Sequence, residues 1–200
     1  MKYCAIDIDD VLGSFSAVLN PALNKTFKRD IPVESWLNFN MTPLYDINSE
    51  QFFDVIISQG LLSQMLPYAD TRQALQRLKD AGYAIVLITS RGYHPQALEL
   101  TKAWLAEHRL PYLDLIIKPE GITKAEASRL AYPKGFEFMV DDFPANLDHM
   151  GQAGMAKHLV LIDQPWNRDR IDYKNGNNRF SSLGQYVETL LGLEMSVQFA

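Results

Sequence analysis

Near the start of the chain the apolar run Tyr3-Cys4-Ala5-Ile6 leads directly into Asp7-Ile8-Asp9-Asp10. A short apolar run bounded by charge reads as a buried strand of a parallel sheet. Three carboxylates at its end do nothing for packing. Crowded ionised carboxylates repel by roughly 4 kcal/mol per pair at 4 Å and an effective dielectric near 20. A hard divalent cation such as Mg2+ offsets that repulsion with oxygen ligands. Residues two apart in extended backbone point the same way, so Asp7 and Asp9 are expected to face one ligand, with Ile8 turned elsewhere. The end of this strand is a candidate metal-dependent active site.

Three further groups occupy comparable places. Thr89-Ser90-Arg91 ends the apolar run 84–89 and offers hydroxyls, backbone N–H groups and a guanidinium. Asp141-Asp142 ends the run 136–140 with a second carboxylate pair. Thr123 and Glu126 have the spacing of a capping box, which puts Lys124 in the first turn of a helix. A cation there opposes the helix dipole by about 0.3–1 kcal/mol, and a nearby anion relieves that conflict. Helix N-termini attract phosphate in any case. Taken singly, each group also fits a turn, a helix cap or a solvated lysine. Their order, each at a predicted strand end or helix start, is what points to one site.

The elements that must position these residues are regular from Asp70 onward. The pattern predicts helix 70–81 stopped by Gly82, strand 84–89, and a helix with Pro95 in its first turn. Strand 113–117, helix 123–131, strand 136–140, a short helix 144–153, strand 158–162 and a last helix near 181–191 follow. Such alternation defines an α/β fold, a Rossmann-like parallel sheet flanked by helices, which binds ligands at the carboxyl ends of its strands. Before Asp70 the pattern differs. Phe15, Val18, Leu19 and Leu23 have helical spacing, in a helix that Pro21 is expected to bend or split. A short helix is expected among Pro32, Trp36, Phe39 and Met41, and Ser49 is read as the cap of a helix carrying Phe52, Phe53, Ile56 and Ile57. Residues 14–69 are therefore read as a small inserted helical cap on a core of residues 1–13 and 70–200.

The chain has 200 residues, 47% of them apolar, enough for one substantial domain with a real core. A formal charge of −5 disfavours non-specific polyanion binding. Cys4 is the single cysteine, which excludes an intramolecular disulfide and a cysteine-based zinc cluster; it reads as a small buried hydrophobe. His94, His108, His149 and His158 lack the spacing of a triad or a zinc site, and His94 beside Pro95 suits a helix cap. No signal-like segment or apolar run of membrane-spanning length is evident, so the expectation is a cytoplasmic protein.

The sequence resembles the haloacid dehalogenase superfamily of phosphotransferases. Asp7-Ile8-Asp9-Asp10-Val11-Leu12 matches its Asp-x-Asp-x-Val/Thr-Leu pattern, Thr89 its strand-ending Thr or Ser, Lys124 its helix-start lysine, and Asp141-Asp142 its acidic pair. Asp10 stands where Gly is common and adds local negative charge. The helical insertion after the first strand is similar to the type 1 cap. Phe15, Trp36, Thr89-Ser90-Arg91 and Asp163-Gln164-Pro165-Trp166-Asn167-Arg168 resemble, more narrowly, the 5′(3′)-deoxyribonucleotidases.

The resemblance implies a Mg2+-dependent phosphomonoesterase. Asp7 is then the nucleophile that forms an aspartyl-phosphate, and Asp9 the acid and later the base, a role that neighbouring carboxylates favour. Mg2+ falls to Asp7, Asp9 through its backbone carbonyl, and Asp141 or Asp142. Thr89, Ser90 and Lys124 hold phosphoryl oxygens, with Lys118 as the alternative lysine. Arg91 contacts substrate or pairs with a site acid. Phe15 and Trp36 stack on a flat group or fill the cap core, and Asn167 and Arg168 line the entrance. The implied substrate is a small phosphate ester, by preference a nucleoside or deoxynucleoside monophosphate. A nucleic-acid 3′-phosphatase fits less well, since no basic stripe is present. A non-catalytic phosphate-binding protein has no use for the complete set Asp7, Asp9, Lys124 and Asp141. Neither a nucleic-acid polymer nor a membrane is expected as a partner.

Overall fold

The computed structural model describes residues 1–174 and 176–198. Six parallel strands form one sheet: β1 (Lys2–Ile6), β2 (Tyr83–Thr89), β3 (Asp114–Ile117), β4 (Phe136–Asp141), β5 (Ala156–Ile162) and β6 (Arg179–Phe180), in the order β3-β2-β1-β4-β5-β6. All seven residues of β2 are buried, as expected of a parallel strand covered on both faces. Alternation along β1 sends Cys4 and Ile6 to one apolar layer and Ala5 to the other. β6 is an addition to the expected strands. Its two residues are too short to show a period, and its place is set by pairing with Leu161 and Ile162 on β5.

The helices are α1 (Ser16–Phe27), α2 (Thr42–Tyr45), α3 (Ser49–Ser58), α4 (Thr71–Asp80), α5 (Ala97–Glu107), α6 (Lys124–Arg129), α7 (Pro144–Gln152) and α8 (Leu183–Gln198). Three local expectations change. Pro21 does not split α1, which runs unbroken with Leu19, Ala22 and Leu23 buried around it. Asn48, not Ser49, caps α3, its side chain accepting from Gln51 N–H while Gln51 reaches back. Pro95 lies before α5: His94 is extended, as residues before proline are, and its Nδ1 accepts the Gln96 N–H at 3.0 Å.

Residues 14–69 leave the sheet after β1 and return beside their own departure point. Ser14 N–H donates to Leu66 O at 3.1 Å, Tyr68 N–H to Leu12 O at 3.0 Å, and Thr71 Oγ1 to Leu12 O at 2.7 Å. Gly13 sits where these two segments cross. A Cβ there would lie 2.9 Å from Leu66 O and 3.0 Å from the Trp104 ring, so a side chain is excluded. Phe15, Trp36, Tyr45 and Ile56 of this segment join the apolar layer that contains Ile6 and Leu87. Among the described residues, no helix is long and apolar enough to cross a membrane.

Candidate active site

Strand order determines where the acids meet. β1 lies between β2 and β4, and β4 is reached only after the chain has built the β2–β3 side, so the sheet reverses its direction of growth between β1 and β4. Crevices at such reversals bind ligands. The register pairs Ala5 with Met139 and Ile6 with Val140, and Asp7 N–H donates to Val140 O at 2.9 Å. Asp7 is thereby placed beside Asp141 and Asp142. One carboxylate oxygen from each of these three residues lies within 4.8 Å of the others, and all three are buried.

Lys124 enters this cluster from the first turn of α6. The Thr123–Glu126 capping box is formed on both sides and fixes the helix start. The lysine Nζ donates to Asp7 Oδ1 at 2.5 Å and to Asp141 Oδ2 at 2.7 Å, with the side chain wholly buried. One ammonium thus faces three carboxylates. Burial pushes the Asp7 carboxyl up to about 7; Lys124 pulls it down, while Asp141 and Asp9 push it further up. Burial also drives Asp142 well above the carboxylate range, with Asp141 and Asp7 adding to it. Burial works against the Lys124 charge, but Asp141 and Asp7 more than offset that and hold it above the usual lysine range. The donor set is all oxygen and short of positive charge, which fits a hard divalent cation.

Asp9 stands apart from the trio. It follows the end of β1 at Ile6 and lies outside the acidic trio, yet it lines the same cavity as Asp7. Both Asp9 oxygens are instead met by Arg91, and Thr89 Oγ1 lies 3.4 Å from Oδ2. Asp9 has the carboxylate neighbours Asp7 and Asp10 that the sequence reading gave it, and a guanidinium besides. Arg91 is fully buried behind Asp9 and does not line the cavity. Thr89 is buried as well, whereas Ser90 opens onto the cavity.

Asp10 has a role that its charge did not reveal. It adopts a left-handed φ of 56°, and its carboxylate accepts the Ser16 N–H at 3.0 Å and the Ser16 hydroxyl at 2.7 Å. It anchors the first turn of α1 to the loop after β1. Burial raises its carboxyl to about 7, against the Ser16 hydrogen bonds.

Above the acids lies a cavity of about 480 Å3 between the sheet and residues 14–69. Phe15 and Trp36 both line it and both also pack in the apolar layer, so the two readings of them are compatible. Of the two candidate lysines, Lys124 reaches the acidic cluster. Lys118 lines the cavity wall, donating to Pro119 O and Ile122 O at 3.0 Å. Asn167 is not at an entrance: it is fully buried and donates to the carbonyls of Asp142 and Ile162. Sequence reasoning passed over Asn146, whose Nδ2 donates to Asp141 at 3.1 and 3.2 Å, and gave no role at the acids to Trp166, whose Nε1 donates to Asp142 Oδ2 at 2.8 Å. It also passed over Phe143, stacked on Phe39 with ring centroids 3.8 Å apart. The Asp141-Asp142-Phe143-Pro144 run held the signal for Asn146, one turn into the following helix. Trp166 stood within the run 163–168 that carries the narrower resemblance, but that run did not indicate its contact with Asp142.

Fold and site together define a phosphoric monoester hydrolase of the haloacid dehalogenase superfamily. The model of the family described as 5′ nucleotidase, deoxy (Pyrimidine), cytosolic type C protein matches residues 2–183, and the chain belongs to that family. The chain is 28% identical over 184 residues to "Putative nucleotidase YqfW" of Bacillus subtilis, covering 86% of each chain. It is 26% identical over 160 residues to "Putative 5′(3′)-deoxyribonucleotidase" of Chlorobaculum tepidum, covering 75% of this chain and 74% of the relative. Its fold is shared with the D,D-heptose 1.7-bisphosphate phosphatase of B. bronchiseptica, solved with magnesium and phosphate. That match has a TM-score of 0.57 and 15% identity over 96% of this chain and 99% of the other.

Proposed function

We propose that this chain is a Mg2+-dependent 5′(3′)-nucleotidase that hydrolyses nucleoside or deoxynucleoside monophosphates through an aspartyl-phosphate. The observation that carries the reading is Lys124, buried between Asp7 and Asp141 with Asp142 alongside, where Asp7 and Asp142 line an aromatic-walled cavity. Membership of a nucleotidase family and the names of the relatives support the substrate class.

Asp7, Asp141 and Asp142, with the backbone carbonyl of Asp9, are the residues that would hold Mg2+. When bound, the ion neutralises carboxylate and phosphate charge. The chain supplies the rest. Lys124 orients the Asp7 carboxylate and, with the Ser90 hydroxyl, stabilises charge on the transferring phosphoryl oxygens. Asp7 attacks phosphorus as the ester P–O bond breaks. Asp9 gives a proton to the leaving alkoxide, then takes one from the water that cleaves the aspartyl-phosphate. Arg91 holds the Asp9 carboxylate from behind while Asp9 lines the cavity where the leaving oxygen would sit. Phe15 and Trp36 offer flat faces to the base, and residues 14–69 exclude bulk water.

Phosphate release is to be measured over deoxynucleoside and nucleoside 5′- and 3′-monophosphates, sugar phosphates and p-nitrophenyl phosphate, with and without Mg2+. The reading requires Mg2+-dependent turnover, best with mononucleotides and abolished in Asp7→Asn. Wild-type inactivity across the panel, or activity equal in Asp7→Asn, overturns it.

A further inference from the structure

The structure assigns Trp166 as a positioning residue that makes Asp142 present one carboxylate oxygen to a divalent cation. This deepens the reading above and rests on it. Trp166 belongs to the tight turn Pro165–Asn167 that follows β5. Its Nε1 donates to Asp142 Oδ2 at 2.8 Å, while the adjacent Asn167 donates from Nδ2 to the Asp142 carbonyl at 2.7 Å. One turn therefore holds Asp142 by both side chain and backbone. The other oxygen, Oδ1, has no hydrogen-bond partner among the described residues, and Asp142 lines the cavity.

The turn is itself immobilised. Gln164 and Asn167 close a reciprocal capping box, and Gln164 Nε2 donates to Asp10 O at 3.0 Å. Arg179, almost fully buried, donates from Nη1 to Asn167 Oδ1 at 2.9 Å and from Nη2 to the Asn167 carbonyl at 2.8 Å. The indole ring faces Trp36 across the cavity wall, with centroids 6.1 Å apart and planes at 41°. The ring thus lies between Trp36 of the inserted segment on one side and Asp142 on the other.

Chemistry explains why this carboxylate needs such a holder. Lys124 binds Asp7 and Asp141 but makes no ion pair with Asp142. An N–H donor can fix a carboxylate without neutralising it, leaving its charge for an incoming cation. Groups that orient ligands in this way commonly change metal affinity about 10–100-fold when removed.

The test is Mn2+ binding to the full chain by calorimetry, without substrate. Trp166→Phe keeps an aromatic side chain, a smaller one, and removes the N–H, and the expected result is a Kd raised about 10–100-fold. In an Asp142→Asn background the same substitution should change Kd little, because its effect runs through that carboxylate. A Kd unchanged in Trp166→Phe, or a loss just as large in Asp142→Asn, overturns this inference alone when the wild type binds Mn2+. Absence of Mn2+ binding by the wild type overturns it together with the proposed function. If Trp166→Phe does not fold, the wild-type indole N–H resonances carry the test. Mg2+ should shift the Trp166 signal saturably and those of Trp36 and Trp104 less; equal or absent shifts overturn the assignment.

Discussion

Arg91 grips both carboxylate oxygens of Asp9, with Nη2 2.6 Å from Oδ1 and Nε 2.9 Å from Oδ2. The guanidinium is anchored from behind, Nη1 donating to Thr101 Oγ1 on α5 at 3.0 Å and Nη2 lying 3.9 Å from the Met65 sulfur. Met65 sits on the segment that returns from residues 14–69 to the sheet, and its carbonyl accepts the Trp104 N–H at 2.6 Å. The resting place of the proposed acid is thus defined by three separate parts of the chain.

A planar fork meets a carboxylate in two parallel bonds, and an ammonium does not. Arg91→Lys is expected to leave the fold intact and lower kcat by about 10²-fold, the scale of a misplaced catalytic group, with a smaller change in KM. Arg91→Ala removes a buried charge partner and should also cost about 3 kcal/mol of stability. Steady-state kinetics and thermal melts separate the two effects. Equal kcat in Arg91→Lys and wild type counts against a positioning role.

Lys124 supports a second prediction. With its side chain wholly buried between Asp7 and Asp141, Lys124→Met leaves those carboxyls facing each other without a cation. Breaking a buried pair costs about 3–5 kcal/mol, which a urea midpoint measures. Turnover should fall by about 10²–10³, the usual loss of one charge-stabilising donor. Lys118→Met, on the cavity wall, should leave stability close to wild type.

How much of this was legible follows from the kind of signal each residue carries. The tips of β1 and β4 were legible because an apolar run ending in paired acids is a local pattern. Lys124 was legible through the Thr123–Glu126 spacing, again within one helical turn. The Arg91–Asp9 grip was only one of two options for Arg91, since its partner lies 82 residues away and the pairing depends on where β1 stops. Trp166 and Asn167 act on Asp142 from 24 and 25 residues away, and nothing in their spacing indicates it. Pro95 was misplaced for a different reason: a single turn at Arg91–Tyr93 fills the space before α5.

Metal removal gives a third prediction. Three buried carboxylates and one ammonium leave the cluster short of positive charge. A ligand present at a hundred times its Kd stabilises the folded state by about 2.7 kcal/mol. For a chain of this size that corresponds to a Tm rise of roughly 5–10 °C. Scanning calorimetry with Mg2+ should show this rise, EDTA should reverse it, and Asp142→Asn should shrink it. A melting temperature indifferent to Mg2+ and EDTA would mean the trio holds no ion.

Asp10 separates backbone strain from capping. Its φ of 56° favours glycine, while its carboxylate satisfies the Ser16 N–H at the start of α1. Asp10→Ala keeps a Cβ in the left-handed region, at about 1–2 kcal/mol, and loses a helix-start acceptor worth about 1 kcal/mol. Asp10→Gly loses the same acceptor but relieves the strain. Alanine should therefore be the less stable variant by about 1 kcal/mol. Because the carboxylate fastens α1 to the loop that carries Asp7 and Asp9, both variants should lose activity beyond their loss of stability. Chemical denaturation paired with kinetics well below the melting temperature checks this. Equal stability of the two variants would show that the left-handed turn at Asp10 carries no strain.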